Sequence, residues 1–213
     1  MVAFISGLIF QEFFIFIEQN RKRIVTIYKL IGMKTGLLIL MTIFSLQAGS
    51  AQKYICKNAH VSFSASTPLE TIEPNNNQVV SILNPEDGTL QFLLLVKSFE
   101  FKVALMQEHF NENYMESDKF PKAEFTGKIN NIRTIDFKKN GTYPAEVTGN
   151  ITIHGVTKPI TTAGTLTVDG KSLNAKATFI VLPKDFDIEI PSIVENKIAK
   201  EVEVNVDANY TQN

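Results

Sequence analysis

Tryptophan is absent from this chain, cysteine occurs once and histidine three times. A lone thiol, Cys56, excludes an intrachain disulfide, and neither a Cys-x-x-Cys motif nor a zinc ribbon can be built from it. Without tryptophan, and with no aromatic girdle pattern, a strand-built outer-membrane pore is disfavoured. Charge of one sign is also missing. The formal net charge is −1; the first 51 residues carry five basic and two acidic side chains, which leaves −4 for the rest. A mildly acidic body with no Lys/Arg cluster makes a poor nucleic-acid binder. No Gly-x-Ser-x-Gly elbow, phosphate loop or His-Glu-x-x-His is present, so nothing here supports catalysis. Against these absences, 44% apolar residues suffice for a core, and 20% charged residues argue against disorder.

The front of the chain reads as targeting. Met33-Lys34 opens an apolar run from Gly36 to Leu46, followed by Gln47-Ala-Gly-Ser-Ala51, with Gly49 and Ala51 at the −3 and −1 places for cleavage before Gln52. A basic start, an apolar stretch and small residues describe a secretory signal peptide over residues 33–51. Residues 1–32 are either an over-extended start or a short anchor; their apolar part is marginal against the roughly 20 residues a span needs. The expected mature domain is 52–213, placed in the periplasm or secreted, with no stable membrane span.

Inside that domain the dominant signal is a period of two. Val147, Gly149, Ile151 and Ile153 share one parity, while Thr148, Asn150, Thr152 and His154 share the other. After Gly155 the alternation resumes, with Ile160, Thr162, Gly164, Leu166 and Val168 on one side. This predicts an antiparallel hairpin turning at His154-Gly155, with Pro159 either first in the return strand or on an edge. Further strands are expected at 54–67, 78–83, 89–99, 123–129, 171–182 and 198–210. Asn84-Pro-Glu-Asp-Gly88 is a strong turn signal, Asn140-Gly141 and Asp169-Gly170 are turn dipeptides, and 69–77 is a polar connection. Leu90–Val96 is apolar at both parities, which predicts cover on both faces and leaves its inward parity open. Val103, Met106, Phe110 and Tyr114, spaced three, four and four apart, predict one amphipathic helix that lids or plugs an end.

About eight strands, several of ten residues or more, favour an all-β, closed antiparallel eight-stranded barrel over a compact sandwich. Gly149, Thr162, Gly164, Ala175 and Ala177 interrupt the apolar parity, which predicts interior room for a ligand; packing around small residues is the competing explanation. Candidate lining residues are Phe63, Phe92, Leu94, Val96, Ile151, Ile153, Phe179, Val202 and Val204, with Met106, Phe110 and Tyr114 closing one end. Of the histidines, His60 is out of phase with Val61 and Phe63 and is expected outside. Turn geometry accounts for His154. His109 with Glu108 and Glu112 is the nearest approach to a metal or acid–base cluster, short of the three or four ligands zinc wants.

Ile151-Thr-Ile-His-Gly-Val-Thr-Lys-Pro-Ile160 resembles the hairpin motif of the YceI-like, polyisoprenoid-binding proteins of bacterial envelopes. The block His109-Phe-Asn-Glu-Asn-Tyr-Met-Glu-Ser-Asp-Lys-Phe-Pro-Lys-Ala-Glu-Phe125 is similar to that family's helix-to-strand segment, and order and spacing agree over roughly 54–210. Where the family usually has an Arg-Asp pair before the histidine, this chain has Met106-Gln107-Glu108. The resemblance implies a lipocalin-like barrel in the periplasm that encloses the isoprenoid tail of a quinone-like or polyprenyl lipid, without cofactor, metal or catalysis. A homodimer is left open. A filled barrel serving as an envelope interaction module is the alternative.

Overall fold

The computed structural model describes residues 53–212 apart from 195, together with Glu18, Arg21 and Arg23. The expected signal peptide and the segment before it therefore lie outside the described residues. Met1–Ser50 and Ala51–Asn213 are separate units, and every described strand belongs to the second.

Eight strands close into one antiparallel barrel in sequence order: β1 (Tyr54–Ser64), β2 (Asn75–Leu83), β3 (Thr89–Leu95), β4 (Lys122–Ile129), β5 (Gly141–Ile153), β6 (Val156–Asp169), β7 (Ser172–Val181) and β8 (Val202–Gln212). β8 returns to β1, pairing Tyr54 with Gln212 and Ser64 with Glu203, so neither edge of the sheet is left open. One short helix, α1 (Ala104–His109), lies in the long connection between β3 and β4 and runs on into a five-residue π turn, Phe110–Tyr114.

Alternation decides which side chains face inward, with two interruptions, at 57–58 of β1 and at 77–78 of β2. Tyr54 and Cys56 point in, a bulge at 57–58 shifts the register, and Ala59 and Val61 point in thereafter. Asn75–Asn77, expected as loop, belongs to β2. Asn76 is fully buried because its own groups are satisfied: Nδ2 donates to the Leu95 carbonyl at 3.1 Å and Oδ1 accepts from the Gln78 N–H at 2.9 Å. Leu90, Phe92, Leu94 and Val96 are the inward set of the β3 run. Among the described residues the expected cover on its other face is absent: Leu93 and Leu95 remain 38% and 47% exposed beside Val80. Apolarity at both parities reflects an uncovered outer stripe here, not a second layer.

The two ends of the barrel differ. At one end the connections are mostly short. Asn84-Pro-Glu-Asp-Gly88 turns as expected, with Gly88 at φ +76° and the Asn84 and Asp87 side chains accepting from the Glu86 and Thr89 N–H groups. Asn140-Gly141 is not a hairpin turn. It ends an eleven-residue connection, 130–140, that sends Ile132, Ile135 and Phe137 into the barrel core as a plug, with Phe137 stacked on Tyr54 at 5.6 Å. Around that plug the inward side chains are close-packed. Tyr210 is 1% exposed, and its phenol lies 2.6 Å from Ser81 Oγ. Because Ser81 spends its own hydrogen on the Gln91 carbonyl at 2.8 Å, Tyr210 is the donor. Burial pushes the Tyr210 phenol far above its ordinary value, and the Ser81 hydrogen bond offsets only part of that.

Gly127 and Gly149 face each other across β4 and β5, and the Phe125 ring folds over both. A Cβ on Gly149 would fall 2.6 Å from the Gly127 Cα and 2.7 Å from Phe125 Cζ. The small residues in the apolar parity thus let an aromatic lie flat against the wall.

This packing sets two expected outcomes. Gly149→Ala should destabilise the barrel by about 1–3 kcal/mol in urea titrations, since the opposing backbone at Thr126 and Gly127 cannot yield freely. Tyr210→Phe should cost about 1 kcal/mol at neutral pH. A phenol held protonated by folding contributes stability that is complete below the unfolded value and lost as pH rises. Wild-type stability should therefore fall above about pH 10, and more gently in Tyr210→Phe.

Candidate functional site

The inward-facing side chains do not fill the barrel. At the plugged end Leu90, Ile129, Val147, Leu166 and Leu173 are buried. Toward the other end the inward positions of the same strands, Phe92, Phe125, Ile151, Ile160 and Phe179, are only half-buried. Side chains that face inward yet keep accessible surface face a void, and the void has a volume of about 580 Å³. That lies within the range of roughly 300–1,000 Å³ typical of small-molecule pockets. The barrel is plugged below and hollow above.

All twelve residues expected at the lining do line this cavity. Phe63 enters from β1, Phe92 and Leu94 from β3, and Val96 from the turn that follows it. Ile151 and Ile153 come from β5, Phe179 from β7, and Val202 and Val204 from β8. The helical segment supplies Met106 from α1 and Phe110 and Tyr114 from the π turn. The extra residue per turn of the π segment still keeps Phe110 and Tyr114 on one face. Burial raises the Tyr114 phenol above its ordinary value.

Phe110 sits among Phe63, Phe99 and Phe101 with ring centroids 5.5, 5.7 and 5.0 Å away, which ties the helical segment to the barrel wall. The strand expected at 89–99 ends at Leu95, and Phe99 and Phe101, which follow it outside any named strand or helix, were missed by sequence reasoning. Their shared parity was the one available signal. Phe125 and Phe186 also line the cavity. Phe125 sat in plain alternation and could have been found; Phe186 sits in the irregular 184–191 stretch and could not.

The polar side chains that reach the cavity from the connections gather at one end. Glu70, His109 and Lys197 line the cavity from the connections β1–β2, β3–β4 and β7–β8, all at the hollow end. Glu124 and Lys176 also border it, but their strand parity is outward. Among the described residues no three His, Cys, Asp or Glu side chains come together as a metal site. His60 lies outside the barrel, with Nδ1 2.8 Å from Asn77 Oδ1.

His154 does more than turn the chain. It and Gly155, at φ +51° and +77°, form the two-residue β5–β6 turn. Its ring nitrogens reach two other connections: Nδ1 lies 3.1 Å from the Phe186 carbonyl, and Nε2 lies 3.1 Å from Glu116 Oε2. The ring also meets Phe120 edge-on at 4.5 Å.

A family model described as the YceI-like domain matches residues 54–210. A UPF0312 protein of Pseudomonas putida strain W619 is 29% identical over 98 residues, covering 43% of this chain and 47% of that protein, so the match spans about half the relative's length. Among solved structures, a polyisoprenoid-binding domain from Saccharophagus degradans, implicated in plant cell wall breakdown, aligns with a TM-score of 0.66 at 13% identity, over 76% of this chain and 99% of that domain. BcnA of Burkholderia cenocepacia aligns with a TM-score of 0.59 at 17% identity, over 71% and 95%. At such identities the two structures testify to the fold alone. The family match covers the barrel from its first strand almost to the end of its last, and the chain belongs to the YceI-like domain family.

Proposed function

We propose that this protein is an exported carrier that holds one long apolar lipid, of the polyisoprenoid or quinone class, in the hollow half of its barrel and does not transform it. The observation that carries the reading is the cavity of about 580 Å³, whose strand-borne lining is almost wholly hydrocarbon and aromatic. A prenyl tail burying a few hundred Å² at about 25 cal/mol per Å² gains several kcal/mol before the cost of association. Chain ends too long for the cavity leave past Glu70, His109 and Lys197, where a polar head group meets polar side chains and water. The description of the Saccharophagus domain as polyisoprenoid-binding supports the ligand class. The signal-like stretch at 33–51 supports export, and no described helix is long and apolar enough to cross a membrane.

The test is organic extraction of the purified protein followed by mass spectrometry, with quinone and polyprenol uptake measured in parallel. A co-purifying isoprenoid, or uptake near one molecule per chain, is the expected result. Finding neither would return the barrel to the rival role of an envelope interaction module. Ile151→Glu should abolish uptake by placing a carboxylate against the tail, and full uptake by a folded Ile151→Glu variant would show that the ligand lies elsewhere.

A further inference from the structure

The barrel wall has a seam. β5 and β6 pair along their whole lengths, from Gly141 with Val168 to Ile153 with Val156. β6 and β7 pair only between Asp169 with Ser172 and Gly164 with Ala177. Residues 156–163 of β6 and 178–181 of β7 therefore diverge at the hollow end. Thr162 Oγ1 and the Thr178 carbonyl, 3.5 Å apart, make the weak contact between them. Pro159, which has no N–H to offer, lies in this one-sided stretch, so it occupies an edge and not the first position of its strand. Ile160 and Thr162 on one side of the seam and Val181 on the other all line the cavity.

The 3-10 turn Pro183–Phe186 follows β7 directly, packs on β6 and turns Phe186 inward until it is 4% exposed. Outside Gly, three described residues have positive φ: Glu116, His154 and Asp187. They converge on one place. His154 meets Glu116 through Nε2, and through Nδ1 it meets the carbonyl of Phe186, the neighbour of Asp187. Lys119, 3.7 Å from Glu116 and lying over the Phe120 ring, backs the same contact. Left-handed backbone at a non-glycine residue carries a cost and persists where surrounding contacts hold it. Both partners of the imidazole can only accept, so the ring holds both when each nitrogen carries hydrogen and one when it does not.

We propose that the seam is a side door of the lipid cavity, that the 183–186 turn is its leaf, and that His154 is the positioning residue that clasps it shut against Glu116 and the Phe186 carbonyl. The ligand part of this rests on the carrier reading above; the mechanical part does not. A clasp of this kind sets how fast a ligand enters and leaves, and not how tightly it is held, because His154 itself does not line the cavity.

The full chain is compared with His154→Asn, Asn being tolerant of the left-handed turn, with Glu116→Ala and with the double variant. Stopped-flow mixing with the fluorescent probe N-phenyl-1-naphthylamine reads loading and release, and hydrogen exchange reads the amides of 156–163 and 183–188. In His154→Asn, loading and release should both quicken by about tenfold, the factor carried by one good hydrogen bond to a charged group, with Kd within about twofold of wild type. Exchange should quicken by about the same factor in those two segments alone. Adding Glu116→Ala should change little further. Unchanged rates and exchange, faster release without faster loading, or additive effects of the two substitutions would each overturn the door. Should His154→Asn fail to fold, Glu116→Ala, altered at an exposed side chain, decides. If wild type takes up no probe, the carrier reading fails, and exchange alone judges the clasp.

Discussion

Closure of the sheet is the constraint on which the rest depends. Once β8 pairs with β1, eight antiparallel strands fix a girth, and that girth is indifferent to whether side chains fill it. At one end the 130–140 connection supplies Ile132, Ile135 and Phe137, which join the buried core cluster there. At the other end Phe110 and Phe186 reach inward and still leave the cavity between them and the strands. The helical segment brings Met106, Phe110 and Tyr114 to the wall instead of through the middle, because Phe110 is held sideways by Phe63, Phe99 and Phe101. The hollow is thus what remains when one end of a closed sheet receives a plug and the other receives a rim. Hydrogen bonds of the ladder, which owe nothing to the interior, keep it from collapsing.

Much of this was legible in the chain. Period-two alternation on β5 and β6 placed Ile151 and Ile153 on the inner face, and the same rule placed Val202 and Val204. The small residues that break the pattern foretold room, although Gly127 and Gly149 give it in an unexpected way, by bedding Phe125 into the wall. Alternation failed where its premises failed. At β3 both parities are apolar, so only pairing with β2 and β4 reveals that Phe92 and Leu94 face inward. In β1 a bulge reverses parity between Cys56 and Ala59, which no reading of residue types detects. The π turn at Phe110–Tyr114 was masked because three-and-four spacing fits it nearly as well as it fits an α-helix.

His154 shows the opposite limit. Turn chemistry explained its place so fully that nothing in the sequence asked for more. Its two partners lie 38 and 32 residues away in irregular segments, where periodicity gives no register. Contacts between connections are fixed by the fold as a whole, so they become visible only when the strands that carry those connections are in place.

Because each strand pairs with its neighbours in sequence, both ends of the barrel's chain emerge together, Tyr54 beside Gln212, at the plugged pole. A fluorophore or linkage attached beside Tyr54 or Gln212 is therefore held about one strand length away from the hollow end of the barrel.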